Sequence, residues 1–147
     1  MIWRNSIAVV AARIILGLVF VYAAYTKLRQ PWLVFAMSID AYQILPENGV
    51  LAVARVVPWL ELAIGILLLS GYWLGWAAPA ATFLLLTFFG IMVRAWFQGR
   101  GIDCGCFGVG EALSGWTLAR DGALLAMSIG LTFFAALAGL RLKPRLK

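Results

Sequence analysis

Four long apolar runs separated by unequal polar breaks dominate the chain. They extend over about 6–26, 50–70, 72–97 and 115–140, each long enough to cross a bilayer as a helix, which takes roughly 20 apolar residues. The pattern predicts an all-α membrane protein, a single four-helix bundle occupying residues 1–147. The breaks differ in kind. Between the first two runs, apolar residues from Trp32 to Leu45 recur at mixed three- and four-residue spacing, with Pro31 before them and Pro46 after. That predicts a short helix, interfacial or re-entrant, too short to span. Gly71 marks a tight turn and makes the second and third spans an antiparallel hairpin. The third break, 98–114, carries five glycines and both cysteines.

Composition agrees with the pattern. Only 12% of the 147 residues are charged, about half the share of a soluble domain, and mean hydropathy is +0.96. The first run is longer than the roughly 7–15-residue core of a signal peptide, so it is expected to stay as a helix. The net charge is +6, but its placement at the ends of apolar runs and near the C-terminus fits membrane orientation, not nucleic acid. Arg4 with Arg141, Lys143, Arg145 and Lys147 predicts both termini on the cytoplasmic side of a bacterial-type inner membrane. The cysteine break then faces outward, although Lys27, Arg29 and Arg100 run against that rule. Ala77–Ala78 with Ala80–Ala81, and Ala135–Ala136 with Ala138–Gly139, suit close helix packing. Pro58 and Pro79 fall inside spans, where they are expected to bend or loosen the helices.

Candidate chemistry gathers in Asp103-Cys104-Gly105-Cys106. Two residues span at most about 7 Å, within reach of a disulfide, and Gly105 eases the small ring. Strained, exposed disulfides are the labile ones, so Cys104 and Cys106 are the candidate redox pair. A local structural disulfide, an idle turn and a metal shared across a dimer are the competing readings. No His is present, which removes the usual acid–base group and the commonest metal ligand. Counting residues in from the span ends brings Lys27, Arg55, Arg94 and Arg120, beside Asp121, to the level of the cysteines. Such a ring of cations would favour thiolate; separate snorkelling to the headgroups is the alternative. Glu61 falls near the middle of the second span, where a bare carboxylate is costly. Pairing with Arg13, protonation with a backbone bond, or a reach toward Arg55 would each relieve it. Tyr22, Tyr25, Trp59, Trp96 and Trp116 form either an interfacial belt or a site for a flat ring.

The chain resembles the DoxX-like group of small four-helix membrane proteins, and within it the MauE (methylamine utilisation) branch. The resemblance runs from Arg13-Ile-Ile-Leu-Gly-Leu-Val-Phe, Lys27 and Pro31 through Ala41-Tyr42-Gln43-Ile44-Leu45-Pro46 and Pro58-Trp59-Leu60-Glu61-Leu62. It ends with Asp103-Cys104-Gly105-Cys106-Phe107-Gly108 and Arg120-Asp121. It implies a four-helix bundle linked to disulfide formation or redox maturation of exported proteins. With no Cys-x-x-Cys and no thioredoxin-like domain, such a protein needs a thiol partner, exported or in the membrane, and an electron acceptor, for which a quinone is the candidate. The competing reading is a non-catalytic accessory or assembly subunit of a larger membrane complex, its loop shaped by a structural disulfide. A transporter or channel is weaker, because four spans with one deep carboxylate offer little pathway.

Overall fold

The computed structural model describes residues 7–142: α1 Ile7–Arg29, α2 Trp32–Asp40, α3 Glu47–Ser70, α4 Leu74–Phe97, a hairpin of β1 Asp103–Gly105 and β2 Gly108–Ala112, and α5 Gly115–Leu142. Of the basic residues behind the expected orientation, Arg4, Lys143, Arg145 and Lys147 lie outside this range, as does Ser6, where the first span was expected to start. Four helices, α1, α3, α4 and the Gly115–Ala138 part of α5, are long and apolar enough to cross a membrane. Their outer faces carry exposed large apolar side chains such as Phe83 and Phe133, the surface expected of helices whose solvent is lipid.

The bundle is built as two tight pairs. α1 packs along α3 and α4 along α5, and the contacts between the pairs are sparser. Within the first pair, Gly17 and Gly65 bring the backbones together. A Cβ on Gly65 would lie 2.7 Å from Val21 Cγ2 and 3.0 Å from the Gly17 carbonyl oxygen. In the second pair, Ala77, Ala78 and Ala81 are buried, and Thr82 Oγ1 hydrogen-bonds Ser128 Oγ at 2.6 Å and Thr132 Oγ1 at 2.8 Å. Pro58 and Pro79 sit inside α3 and α4, and both helices continue through them. Gly71, in the left-handed region with φ 72°, ends α3, and α4 starts after Trp73.

At the opposite end from that turn, Phe35 and Ala36 of α2 pack onto Val50, Ala54 and Val57 of α3. The third break is more ordered than a glycine-rich loop. Its strands pair antiparallel with Gly105 opposite Gly108, which leaves Cys106 and Phe107 as the two-residue tip. Met92, Ala95, Cys104 and Leu113 make a separate small core beneath it.

Candidate functional site

The hairpin tip enters the end of the bundle, and one cation fastens it there. Lys27 Nζ donates to Glu61 Oε1 at 2.8 Å, Glu61 Oε2 at 2.9 Å and the Cys106 carbonyl at 2.7 Å. All three ammonium protons are used, and Lys27 and Glu61 are only 3% and 5% exposed. The expected partners of Glu61 are therefore corrected: it pairs with neither Arg13 nor Arg55, and it is no lone protonated acid. Helical side chains slant toward their own N-terminus. In the antiparallel pair, Lys27 slants inward and Glu61 slants outward, so they meet. Arg13, nearer the start of α1, slants the same way as Lys27 and so away from Glu61; it lies against Gly71, ten residues from Glu61 and so about 15 Å along α3.

Cys104 is 2% exposed, and both cysteines are free thiols, not a disulfide. The expected exposed, strained disulfide is thus replaced by a free dithiol, with Cys104 buried and Cys106 half-buried. The two sulfurs have different surroundings. Cys104 Sγ lies 3.5 Å from Glu111 Oε2, and the Tyr42 hydroxyl donates to the Cys104 carbonyl at 2.9 Å. Cys106 Sγ lies 3.6 Å from Asp121 Oδ2 and 3.6 Å from Met92 Sδ. Hydrogen bonds from the Cys106 thiol and backbone N–H hold the Cys104 thiol below its ordinary value against the opposing effect of burial. Donating that bond, and then burial, push Cys106 far up. Cys104 is therefore the more acidic thiol of the pair and Cys106 the less acidic. Burial also raises the Tyr42 phenol, which keeps it a donor.

The four expected cations divide. Lys27 and Arg120 reach the site, whereas Arg55 and Arg94 are exposed. Arg55 stacks over Trp32, with its guanidinium 4.3 Å from the ring centroid, so no ring of four cations surrounds the cysteines. Arg120 pairs with Glu111 and with Asp121, whose Oδ1 is 3.3 Å from Nε. Its guanidinium also lies 4.4 Å from the Phe107 ring centroid. Asp103 Oδ2 accepts from the Gly110 N–H at 3.3 Å and braces the hairpin. Glu111, Tyr42, Met92 and Phe107 are site residues to which sequence reasoning gave no role. A signal for Glu111 existed, because the chain holds only six acidic residues and each has to be accounted for in so apolar a setting.

Gly105 is required twice over. Its φ is +71°, and a Cβ there would lie 3.1 Å from Ser38 Cβ on α2. Gly105→Ala is expected to cost about 1–2 kcal/mol from the left-handed backbone alone. Thermal unfolding of the detergent-solubilised protein measures this, and an unchanged midpoint would mean that the turn does not hold this conformation.

Behind the tip, a cavity of about 40 Å³ lies in the seam between the helix pairs, lined by apolar residues such as Phe20, Leu84 and Phe88 and by Lys27, Glu61, Cys106 and Asp121. Cavities that accept benzene are nearer about 150 Å³, so this one suits water-sized groups. Phe107 and Val19 separate it from an open groove bounded by Tyr22, Glu111 and Arg120. The aromatics weighed as a ring site, Tyr22, Tyr25, Trp59, Trp96 and Trp116, are all exposed; of these, Tyr22 touches the hairpin, its ring 5.7 Å from that of Phe107. Among the described residues, no three Cys, Asp or Glu side chains converge as metal ligands.

The family model described as methylamine utilisation protein MauE matches residues 5–137. The chain belongs to the MauE family. The methylamine utilization protein MauE of Paracoccus denitrificans is 34% identical over 124 residues, covering 82% of this chain and 66% of that protein. The chain thus spans just under two thirds of the relative's length. No solved structure matches. The family match includes the Lys27–Glu61 fastening, the Cys-Gly-Cys tip and the Arg120–Asp121 pair, so the whole constellation described above lies within the MauE region.

Proposed function

We propose that this MauE-family protein is a membrane thiol–disulfide exchange protein that supports disulfide formation or redox maturation of an exported partner. The printed name of its relative suggests methylamine utilisation as the setting. In this reading the hairpin faces outward, both termini are cytoplasmic, and the bundle belongs with the DoxX-like four-helix proteins. The observation that carries it is the asymmetry of the dithiol. Cys104 is the more acidic thiol, Cys106 the less acidic, and each faces its own carboxylate.

The exchange balances as follows. The Cys104 thiolate attacks a partner disulfide; the Cys104–partner bond forms and one partner thiolate leaves. Cys106 then attacks the Cys104 sulfur, closing the Cys104–Cys106 disulfide and releasing the second partner thiolate. Two electrons pass to the partner, and the reverse sequence oxidises it. A second oxidant, of the quinone class in this reading, is needed to reset the pair for net oxidation. Because Cys104 is buried, exchange with a protein begins when the hairpin lifts.

The test is trapping in native membranes. Cys106→Ser should accumulate a reductant-sensitive mixed disulfide with an exported protein, and Cys104→Ser should accumulate none. A wild-type pair that is always oxidised and resists mild reductant would sink the reading. The burial of Cys104 and the ties from Lys27 and Tyr42 favour a second reading, an assembly subunit whose hairpin is a rigid structural plug. That reading requires wild-type function from Cys104→Ser.

A further inference from the structure

We infer that Asp121 is the catalytic base of the resolving step, taking the Cys106 proton as that sulfur closes on Cys104. This rests on the dithiol–disulfide reading above and assigns the step a residue. Asp121 Oδ2 is 3.6 Å from Cys106 Sγ, and the residue is 6% exposed. Among the described residues, Asp121 is the carboxylate that the Cys106 thiol reaches; the thiol's other oxygen acceptor, the Cys104 carbonyl at 3.7 Å, is no base. Around Cys106, α1 supplies Lys27, whose three protons are all donated; α3 supplies Glu61, both of whose oxygens accept from Lys27. From α4 comes Met92, a thioether that takes no proton at neutral pH. The hairpin supplies Cys104, the sulfur being attacked. Asp121, from α5, accepts from Arg120 at both oxygens, and its Oδ2 also takes the hydrogen bond from Cys106 Sγ.

Arg120 makes the assignment specific. Its guanidinium bridges Asp121 and Glu111, and these carboxylates face different sulfurs, Asp121 toward Cys106 and Glu111 toward Cys104. Arg120 donates to both oxygens of Asp121, to Oδ1 at 3.3 Å and to Oδ2 at 3.4 Å, and so fixes the carboxylate with Oδ2 beside Cys106, while Glu111, with a third of its side chain exposed, borders the groove. In the mixed disulfide, Cys106 still carries its proton. As its sulfur attacks, the proton passes to Asp121, the new S–S bond forms, and the bond from Cys104 to the leaving group breaks. The leaving group departs as thiolate, and Asp121 later returns the proton to it or to water.

The test uses the full-length, reduced protein in detergent with 4,4′-dithiodipyridine as probe disulfide. Attack by Cys104 releases one thiopyridone, and resolution by Cys106 releases a second, so absorbance resolves two phases. In the wild type the second phase should be flat from about pH 6 to about pH 8, because a fixed base rather than hydroxide takes the proton. Asp121→Asn should lower the ratio of second- to first-phase rates at least about tenfold and make the second phase proportional to hydroxide. Asp121→Glu should restore the flat profile. A second phase in Asp121→Asn with the wild-type ratio and pH profile overturns the inference. If Asp121→Asn does not fold, the wild-type profile decides, since a second phase already proportional to hydroxide also overturns it. A wild type that releases one thiopyridone and forms no Cys104–Cys106 disulfide instead defeats the exchange reading itself.

Discussion

Lys27→Met should destabilise the protein by about 3–5 kcal/mol, the cost of leaving one partner of a buried ion pair without the other. Glu61 is 5% exposed and receives two of the three Lys27 protons, so removing the ammonium strands a carboxylate within the bundle. The third proton goes to the Cys106 carbonyl, and the same substitution should unfasten the hairpin tip and speed alkylation of both cysteines. Lys27→Met with Glu61→Leu separates the two effects. Apolar residues in place of a whole buried pair are often neutral or stabilising, so the double variant should regain most of the lost stability. Its cysteines should still alkylate fast, because the Cys106 carbonyl remains without Lys27. Unfolding in detergent and the rate of thiol labelling measure the two halves. Stability in Lys27→Met equal to wild type would refute the ion pair as a structural element.

The second large effect is expected at the α1–α3 crossing. A Cβ on Gly17 would meet the Leu69 side chain, which can move, at 2.7 Å, and one backbone atom, the Gly65 oxygen, at 3.1 Å. A Cβ on Gly65 would meet Val21 Cγ2 at 2.7 Å and two backbone atoms, the Gly17 oxygen and the Val21 nitrogen, each at 3.0 Å. Backbone cannot step aside without separating the helices. Gly65→Val should therefore cost about 3 kcal/mol, the upper end of ordinary overpacking, and more than Gly17→Val. Separation of α1 from α3 also draws Lys27 from Glu61, so faster cysteine labelling should accompany the loss. If Gly17→Val proves the more damaging, the crossing is not as described.

Much of the fold was legible because a bilayer leaves little choice. Runs of about 20 apolar residues have to form helices to satisfy their backbone groups, and four such helices are present close to the expected ranges. The importance of Cys104, Gly105 and Cys106 was legible for a similar reason, since thiols set among glycines stand out in an apolar chain. The partners of those residues were less so. Counting residues from a span end gives depth but neither azimuth nor slant. It placed Arg55 and Arg94 at the level of the cysteines, yet both are exposed. It matched Glu61 with Arg13 because it took no account of the N-terminal slant of helical side chains.

The sequence alone determined the four spans, the break that carries the chemistry, the two cysteines and a deep acid in need of a partner. These follow from hydropathy, from spacing and from the cost of burying charge, all local properties of the chain. The tertiary structure decided what those residues meet. It folded the glycine-rich break into a hairpin with Cys106 at its tip and left a free dithiol, Cys104 buried and Cys106 half-buried, where the sequence suggested an exposed disulfide. It gave Lys27 to Glu61 and set Arg120 between Glu111 and Asp121. Those choices depend on helix azimuth, strand register and backbone approach at Gly17, Gly65 and Gly105, which bring together residues as much as 79 positions apart.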